Sequence, residues 1–289
     1  LERATNATSP SSAKKRGGGG SGKKHKPKTK PLPGLSPAGT QIVYYGAAAA
    51  CLSALSALGR HHMEIRQRIL EEGILQMCFH LLSVREVLGS VLPSFKDLLD
   101  GHMGAQNVFR EQGGFEILAQ LLEDHKVPPR CKTLCLIVLT ALTQGNNYNM
   151  QQAGERGVIG VLCKLLTDSQ IAPVVALTMS MMCYDHGPNQ LQGQPGVLSL
   201  LFHLQNDHLN LQVPANQALI LHCCQALSSL CGSEENFFLA QRMSNPIKLL
   251  HNLQGLPRNT EAEMAMEEVL HLLHPPEEEV DNSKEVFRF

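Results

Sequence analysis

Nine cysteines and thirteen histidines are the side chains of this 289-residue sequence best equipped to hold a metal or attack a substrate. Cys131 and Cys135 lie four apart, which on a helix puts both thiols on one face, where they could share an ion. Their neighbours are Leu134, Leu136 and Ile137, and no second ligand pair accompanies them. His222-Cys223-Cys224 and the pair His271 and His274 are the other zinc-like combinations. Adjacent residues splay around a helix, so the first cannot converge from one element. The second is an i,i+3 pair near the chain end. Cys51, Cys78, Cys131, Cys135, Cys163, Cys183, Cys223, Cys224 and Cys231 all fall within apolar runs. An odd count in such company predicts reduced thiols buried as small hydrophobes, in the cytoplasm or the nucleus. Gly154, Gly157 and Gly160 are spaced as helix-turn glycines and follow no strand. No nucleophile elbow, phosphate loop, His-Glu-x-x-His or kinase signature occurs. The sequence therefore predicts no enzyme, no metal and no cofactor.

The charge is unevenly spread. Residues 1–40 carry nine Lys and Arg against one acid, Glu2, whereas the remaining 249 residues carry 16 against 25. A segment at +8 thus precedes a body at −9. Gly17 to Gly20 and the prolines at 27, 31, 33 and 37 leave residues 1–40 with little to bury. They are expected to stay disordered, because burial cannot offset chain entropy. Two basic clusters, Lys14-Lys15-Arg16 and Lys23-Lys24-His25-Lys26, flank a Gly/Ser spacer in the manner of a bipartite nuclear-localisation signal. A solvated linker and a contact with nucleic acid or an acidic partner are the alternatives. Without an interleaved aromatic, base stacking is not open to this segment. No run approaches 18 uninterrupted apolar residues, so no membrane span is expected. Residues 276–289 read as an acidic tail.

Between these ends, over 41–275, one pattern recurs. Glu72-Gly73-Ile74-Leu75 closes on Leu81-Leu82, Gly113-Gly114-Phe115 on Leu121-Leu122, and Arg156-Gly157-Val158 on Leu165-Leu166. Weaker copies close on Leu204 and Leu253. Steps of 40, 44, 38 and 49 residues between Leu82, Leu122, Leu166, Leu204 and Leu253 fall in the range of two- or three-helix repeats. Short polar-opened helices are predicted before the glycines, over 63–71, 106–111, 147–153 and 234–242. Longer helices ending in small apolar residues follow each Leu-Leu, with Pro128-Pro129, Pro173, Pro214 and Pro257 at their starts. Pro93 falls inside a helical pattern and should kink it. Strand alternation is absent, and the predicted class is all-α.

A short helix, a Gly-marked turn and two apolar helices resemble the armadillo repeat. The stretches 145–157 and 107–114 match that family's motif most closely, and about five units are expected, at 60–101, 102–145, 146–185, 186–232 and 233–274. The resemblance implies a right-handed α-solenoid whose third helices line a groove for a partner's peptide or helix. Import receptors of this fold grip their cargo with Trp and Asn ladders on the third helix. This chain has no Trp, and the ladder positions read Ala57, Asp97, Ala141, Met181 and Ser229. Any groove partner must be held otherwise, and the −9 body favours a neutral or basic one. The groove candidates are Lys96, Asp97, Thr140, Ala141, Ser180, Met181, Gln225 and Ser229. The expected function is a non-enzymatic interaction scaffold, a segment of a larger protein. A structural spacer or oligomerisation element, and a nuclear nucleic-acid-associated factor acting through Lys14, Lys15, Arg16, Lys23, Lys24 and Lys26, are the alternatives.

Overall fold

The computed structural model describes residues 37–275, and no strand occurs among them. The chain divides after Gln41. The described part of the first unit is only the opening of a helix, and the second unit, from Ile42, holds the rest. After α1 (Pro37–Gly59) come five three-helix repeats. The first is α2 (Met63–Glu71), α3 (Ile74–Cys78) and α4 (Leu88–Leu99), with 3-10 turns at Phe79–Ser83 and Arg85–Val87 between the last two. The second is α5 (Met103–Glu111), α6 (Gly114–Glu123) and α7 (Pro129–Thr143). The third is α8 (Asn147–Glu155), α9 (Val158–Leu165) and α10 (Ala172–Cys183). The fourth is α11 (Gly187–Gln192), α12 (Gln194–Leu204) and α13 (Pro214–Leu230). The fifth is α14 (Glu234–Met243), α15 (Pro246–Gly255) and α16 (Glu261–Leu273).

The stacking follows from what one repeat cannot do alone. Third helices pack in series, α4 on α7, α7 on α10, α10 on α13 and α13 on α16. The buried apolar residues form one continuous cluster from Ala49 to Leu273 instead of one core per repeat, as expected for a solenoid closed by its neighbours. Gly73, Gly113 and Gly157 adopt φ of 69°, 87° and 76° where the first helix turns into the second. That left-handed conformation suits a residue without Cβ, which explains the recurrent glycine. Prolines open α7 and α13, and Pro173 lies in the first turn of α10, but Pro257 does not begin a helix. Thr260 caps α16 instead. Helix α4 runs from Leu88 through Pro93 to Leu99 as one element.

The joints between repeats carry a second periodic feature. At the start of the first helix, His102, Asn146, His186 and Ser233 each accept a hydrogen bond from the backbone N–H three residues on. Three residues after three of these caps comes a fully buried Asn. Asn149 Nδ2 donates to the Leu142 carbonyl at 2.9 Å, and Asn189 Nδ2 to the Met182 carbonyl at 2.8 Å and the Met150 carbonyl at 3.2 Å. Asn236 Nδ2 donates to the carbonyls of Gln190 at 2.6 Å and Leu230 at 3.1 Å. Each amide thus satisfies the frayed end of the preceding third helix. Gly154 makes room for one of them, since a Cβ there would lie 2.2 Å from Asn189 Oδ1.

Helix α1 bears on the expectation that no segment spans a membrane. Within the charge-free stretch Gly39–Gly59 an 18-residue window has a mean hydropathy of 1.6 and is 22% buried, so by length and composition α1 could cross a membrane, as could the core helix of a soluble protein. Counting uninterrupted apolar residues missed it because Gly, Ser and Thr are interspersed, and helices tolerate these in lipid. Ala49 and Leu52 are buried, and the Ser53 hydroxyl lies 3.0 Å from that of Ser94 on α4. Ile42, Val43, Tyr44 and Leu58 are exposed.

Candidate functional site

The eight groove candidates all lie on the third-helix layer, but the structure divides them. On α4, Lys96 and Asp97 belong to a closed ion-pair network. Arg60 approaches Asp97 through Nη2 at 2.7 Å and Nε at 3.0 Å, Lys96 Nζ contacts Asp100 at 2.8 Å, and Arg66 donates to the Asp100 carbonyl. On α7, Thr140 is half-buried and Ala141 is only 3% exposed. The Ala141 carbonyl is taken by Gln106 Nε2 at 2.8 Å, so this ladder position faces a neighbouring helix and not an open groove.

The other four converge. Ser180 and Met181 of α10 and Gln225 and Ser229 of α13 line one cleft of about 410 Å³, with α16 supplying Ala265 and Glu268. Its lining is soft or small: Met181 adapts to irregular shapes, and the serines leave space. Ser180 Oγ donates to the Leu177 carbonyl at 2.8 Å, and Gln225 Oε1 lies 3.1 Å from His222 Nδ1. The cleft continues past Tyr184, 72% exposed, to Asp185, Gln190 and Gly232. Asp185 takes φ of 49° at the position where Gly101 and Gly145 end the two preceding third helices. A non-glycine residue there is strained, and strain of this kind collects at binding sites. Among the described residues neither Asp185 nor Glu268 lies within 4.0 Å of a cationic group.

The sequence reading missed Tyr184, Asp185 and Glu268. Tyr184 and Asp185 could have been found by aligning them with Gln144-Gly145, where the loss of glycine is the signal. Glu268 was not legible, because the last repeat has Ser244-Asn245 and no glycine between its first two helices to set its register.

The deeply buried cysteines are poorly equipped for chemistry. Burial pushes the thiols of Cys135, Cys183, Cys223 and Cys231 up to about 12. Burial also raises Cys224 at the floor of the cleft, helped by the charges of Cys223 and Glu268. A thiol so shifted is neither a nucleophile nor a ready ligand at neutral pH. Cys51 departs from the expectation of burial and is exposed on α1. No cluster of three His, Cys, Asp or Glu occurs among the described residues. Lys14, Lys15, Arg16, Lys23, Lys24 and Lys26 lie outside them.

The repeat stacking and third-helix cleft can be set against solved structures. The fold is armadillo-like. The designed armadillo repeat protein YIII(Dq)4CqI superposes with a TM-score of 0.63 at 18% identity, over 78% of this chain and 93% of that one. A second, YIII(Dq.V1)4CPAF in complex with the peptide (KR)4, gives 0.65 at 17% identity over 81% and 98%. An engineered protein gives 0.67 at 15% identity over 81% and 93%. No family model and no curated protein matches the chain. Identities this low speak for the backbone and leave the partner to the residues of the cleft.

Proposed function

We propose that the cleft across α10, α13 and α16 binds an extended peptide carrying one basic residue beside apolar anchors, and that the chain is a non-enzymatic interaction scaffold of the cytoplasm or nucleus. The observation that carries this is the pairing of an open, soft-lined cleft with two acids, Asp185 and Glu268, that have no cationic partner among the described residues. A carboxylate beside a low-dielectric wall attracts a Lys or Arg more strongly than one in open water. Met181, Leu177 and Tyr184 offer the apolar contact that fixes register. The (KR)4 complex of a designed relative supports peptide binding on this backbone, although this cleft has no Trp to pack lysine stems. The test is selection of 12-residue peptides from a random display library on the intact chain, followed by fluorescence anisotropy of those recovered. Enrichment of peptides with Lys or Arg next to an aliphatic or aromatic residue, and at least about tenfold weaker binding to Glu268→Gln, is expected. Selected peptides without basic residues, indifferent to Glu268→Gln, would refute the proposal.

The oligomerisation reading rests on a different observation, the exposed apolar face of α1 with Ile42, Val43, Tyr44 and Leu58. A monomer at all concentrations in sedimentation equilibrium would remove it.

A further inference from the structure

The second-helix layer is open between α12 and α15. In that layer α6 packs on α9 and α9 on α12, but α12 makes its closest lateral contacts with α14. The reason lies in the chain: the 49-residue step between Leu204 and Leu253 inserts a loop over 205–213. That loop is built, with Asn206 Oδ1 accepting from the His208 N–H, Asn210 Oδ1 from the Gln212 N–H, and Asn216 Nδ2 donating to the Asn210 carbonyl at 2.9 Å. Asn252 Nδ2 reaches across to the Leu204 carbonyl at 2.8 Å and ties α15 to the end of α12. Above this tie the layer stays open as a cleft of about 660 Å³, lined by Leu198, Leu201, Phe202, Met243, Asn245 and Lys248. Phe202 is 69% exposed and Met243 49%, so large apolar side chains face water in a concave site. Isolated apolar residues on a surface need no explanation, whereas a lined concavity marks a contact.

The end of the described chain lies at the rim of this cleft. His274 Nε2 sits 2.7 Å from Ser244 Oγ, and Gln241 Nε2 donates to the Leu273 carbonyl at 3.2 Å. Ser244 stands between Met243 and Asn245, both of which line the cleft. Residues 276–289 therefore set out from its edge. They carry the acids Glu277, Glu278, Glu279, Asp281 and Glu285 and finish Val286-Phe287-Arg288-Phe289. In an extended segment Phe287 and Phe289 point to one side. The cleft offers one cation, Lys248, 48% exposed and paired only with Asp207 at 3.8 Å, and Arg242, next in the chain to the lining Met243, has no carboxylate partner among the described residues. Phe287 lies twelve steps beyond Pro275, a span of up to roughly 40 Å at 3.3–3.6 Å per residue, which is ample. So short a tether holds the segment at an effective concentration in the millimolar range, enough for a modest contact to form.

We infer that the cleft between α12 and α15 is the dock for the chain's own residues 285–289, with Phe287 and Phe289 packed beside Phe202, Leu198 and Met243 and the acidic run beside Lys248 and Arg242. This site is separate from the third-helix cleft and stands whether or not that cleft binds a peptide. Docking shields the Lys284–Glu285 bond from trypsin, and mass spectrometry on the full chain reads its cleavage rate. The rate should rise at least about tenfold in the double variant Phe287→Ala, Phe289→Ala, and by a similar factor in Phe202→Asp, which alters only the cleft. Hydrogen exchange over residues 198–208 should quicken in both variants and stay unchanged over α6 and α7. Equal cleavage rates in wild type and both variants would overturn the inference. A wild-type rate that climbs on dilution would also overturn it, by assigning the cleft to the tail of a second copy.

Discussion

The third-helix layer is built by one pattern, yet its two halves differ in kind. Around α4 the charges of Lys96, Asp97 and Asp100 are answered from within, by Arg60 to Asp97, Lys96 to Asp100 and Arg66 to the Asp100 carbonyl. Around α10, α13 and α16 the surface opens into a cleft whose acids have no partner among the described residues. The two ladder positions Ala141 and Ser229, equivalent in the repeat, fall on opposite sides of this division. Repeat position therefore tells which helix a residue belongs to, and local packing tells whether it is free to bind.

The largest test of that contrast is charge insertion at those two sites. Ala141→Arg should cost about 3 kcal/mol or more, since a long charged side chain must displace packed neighbours and lose its water. Ser229→Arg, at the mouth of the cleft, should shift stability by no more than about 0.5 kcal/mol. Urea denaturation of both variants measures the difference, and equal costs would dissolve the contrast. The clasp behind the open half comes next. Asn189→Ala removes the donor that satisfies the Met182 and Met150 carbonyls, for an expected loss of about 1–3 kcal/mol. If the variant is as stable as wild type, these buried amides do not hold the joint.

Asp185→Gly should act in the opposite sense, raising stability by about 1 kcal/mol through relief of φ at 49°, while weakening any cationic peptide. Gain in stability without loss of binding would take Asp185 out of the site. Among the smaller effects, Arg60→Ala should cost at most about 1 kcal/mol, fade in high salt and leave peptide binding unaltered. The smallest concerns pH. The Lys126 N–H, and then Arg85, hold the Asp124 carboxyl below its usual value. Its folded pKa is depressed, so its stabilisation is present above the unfolded value of 3.8 and is lost as pH falls through the folded one. Asp124→Asn should slightly flatten the acid limb of the stability curve, and an unchanged limb would show that the capped loop contributes nothing.

Much of the fold was legible because its signals are local. The helix predicted over 63–71 is α2, and the glycine turns at 73, 113 and 157 need a left-handed residue that sequence displays directly. The Asn clasps were not legible: Asn149, Asn189 and Asn236 read as ordinary helix-opening polar residues until folding brings a carbonyl to each. The site was half legible, since Ser180, Met181, Gln225 and Ser229 do line the cleft. Lys96, Asp97 and Ala141 follow the same spacing, but Lys96 is held by Asp100, and Asp97 and Ala141 are closed off by Arg60 and Gln106, partners that lie 37 and 35 residues away in the chain. Long-range partners of that sort decide exposure, and no local pattern reports them.

The central claim, that the open half of the third-helix layer receives a peptide, is tested most directly by measuring a library-selected 12-residue peptide against three forms of the intact chain. By fluorescence anisotropy, Ser229→Arg should bind at least about tenfold more weakly than wild type, because a like charge now blocks the basic residue's place. Phe202→Asp, on the second-helix layer, should bind as wild type does. Binding that survives Ser229→Arg and is lost in Phe202→Asp would contradict the account and move the partner surface to the other face.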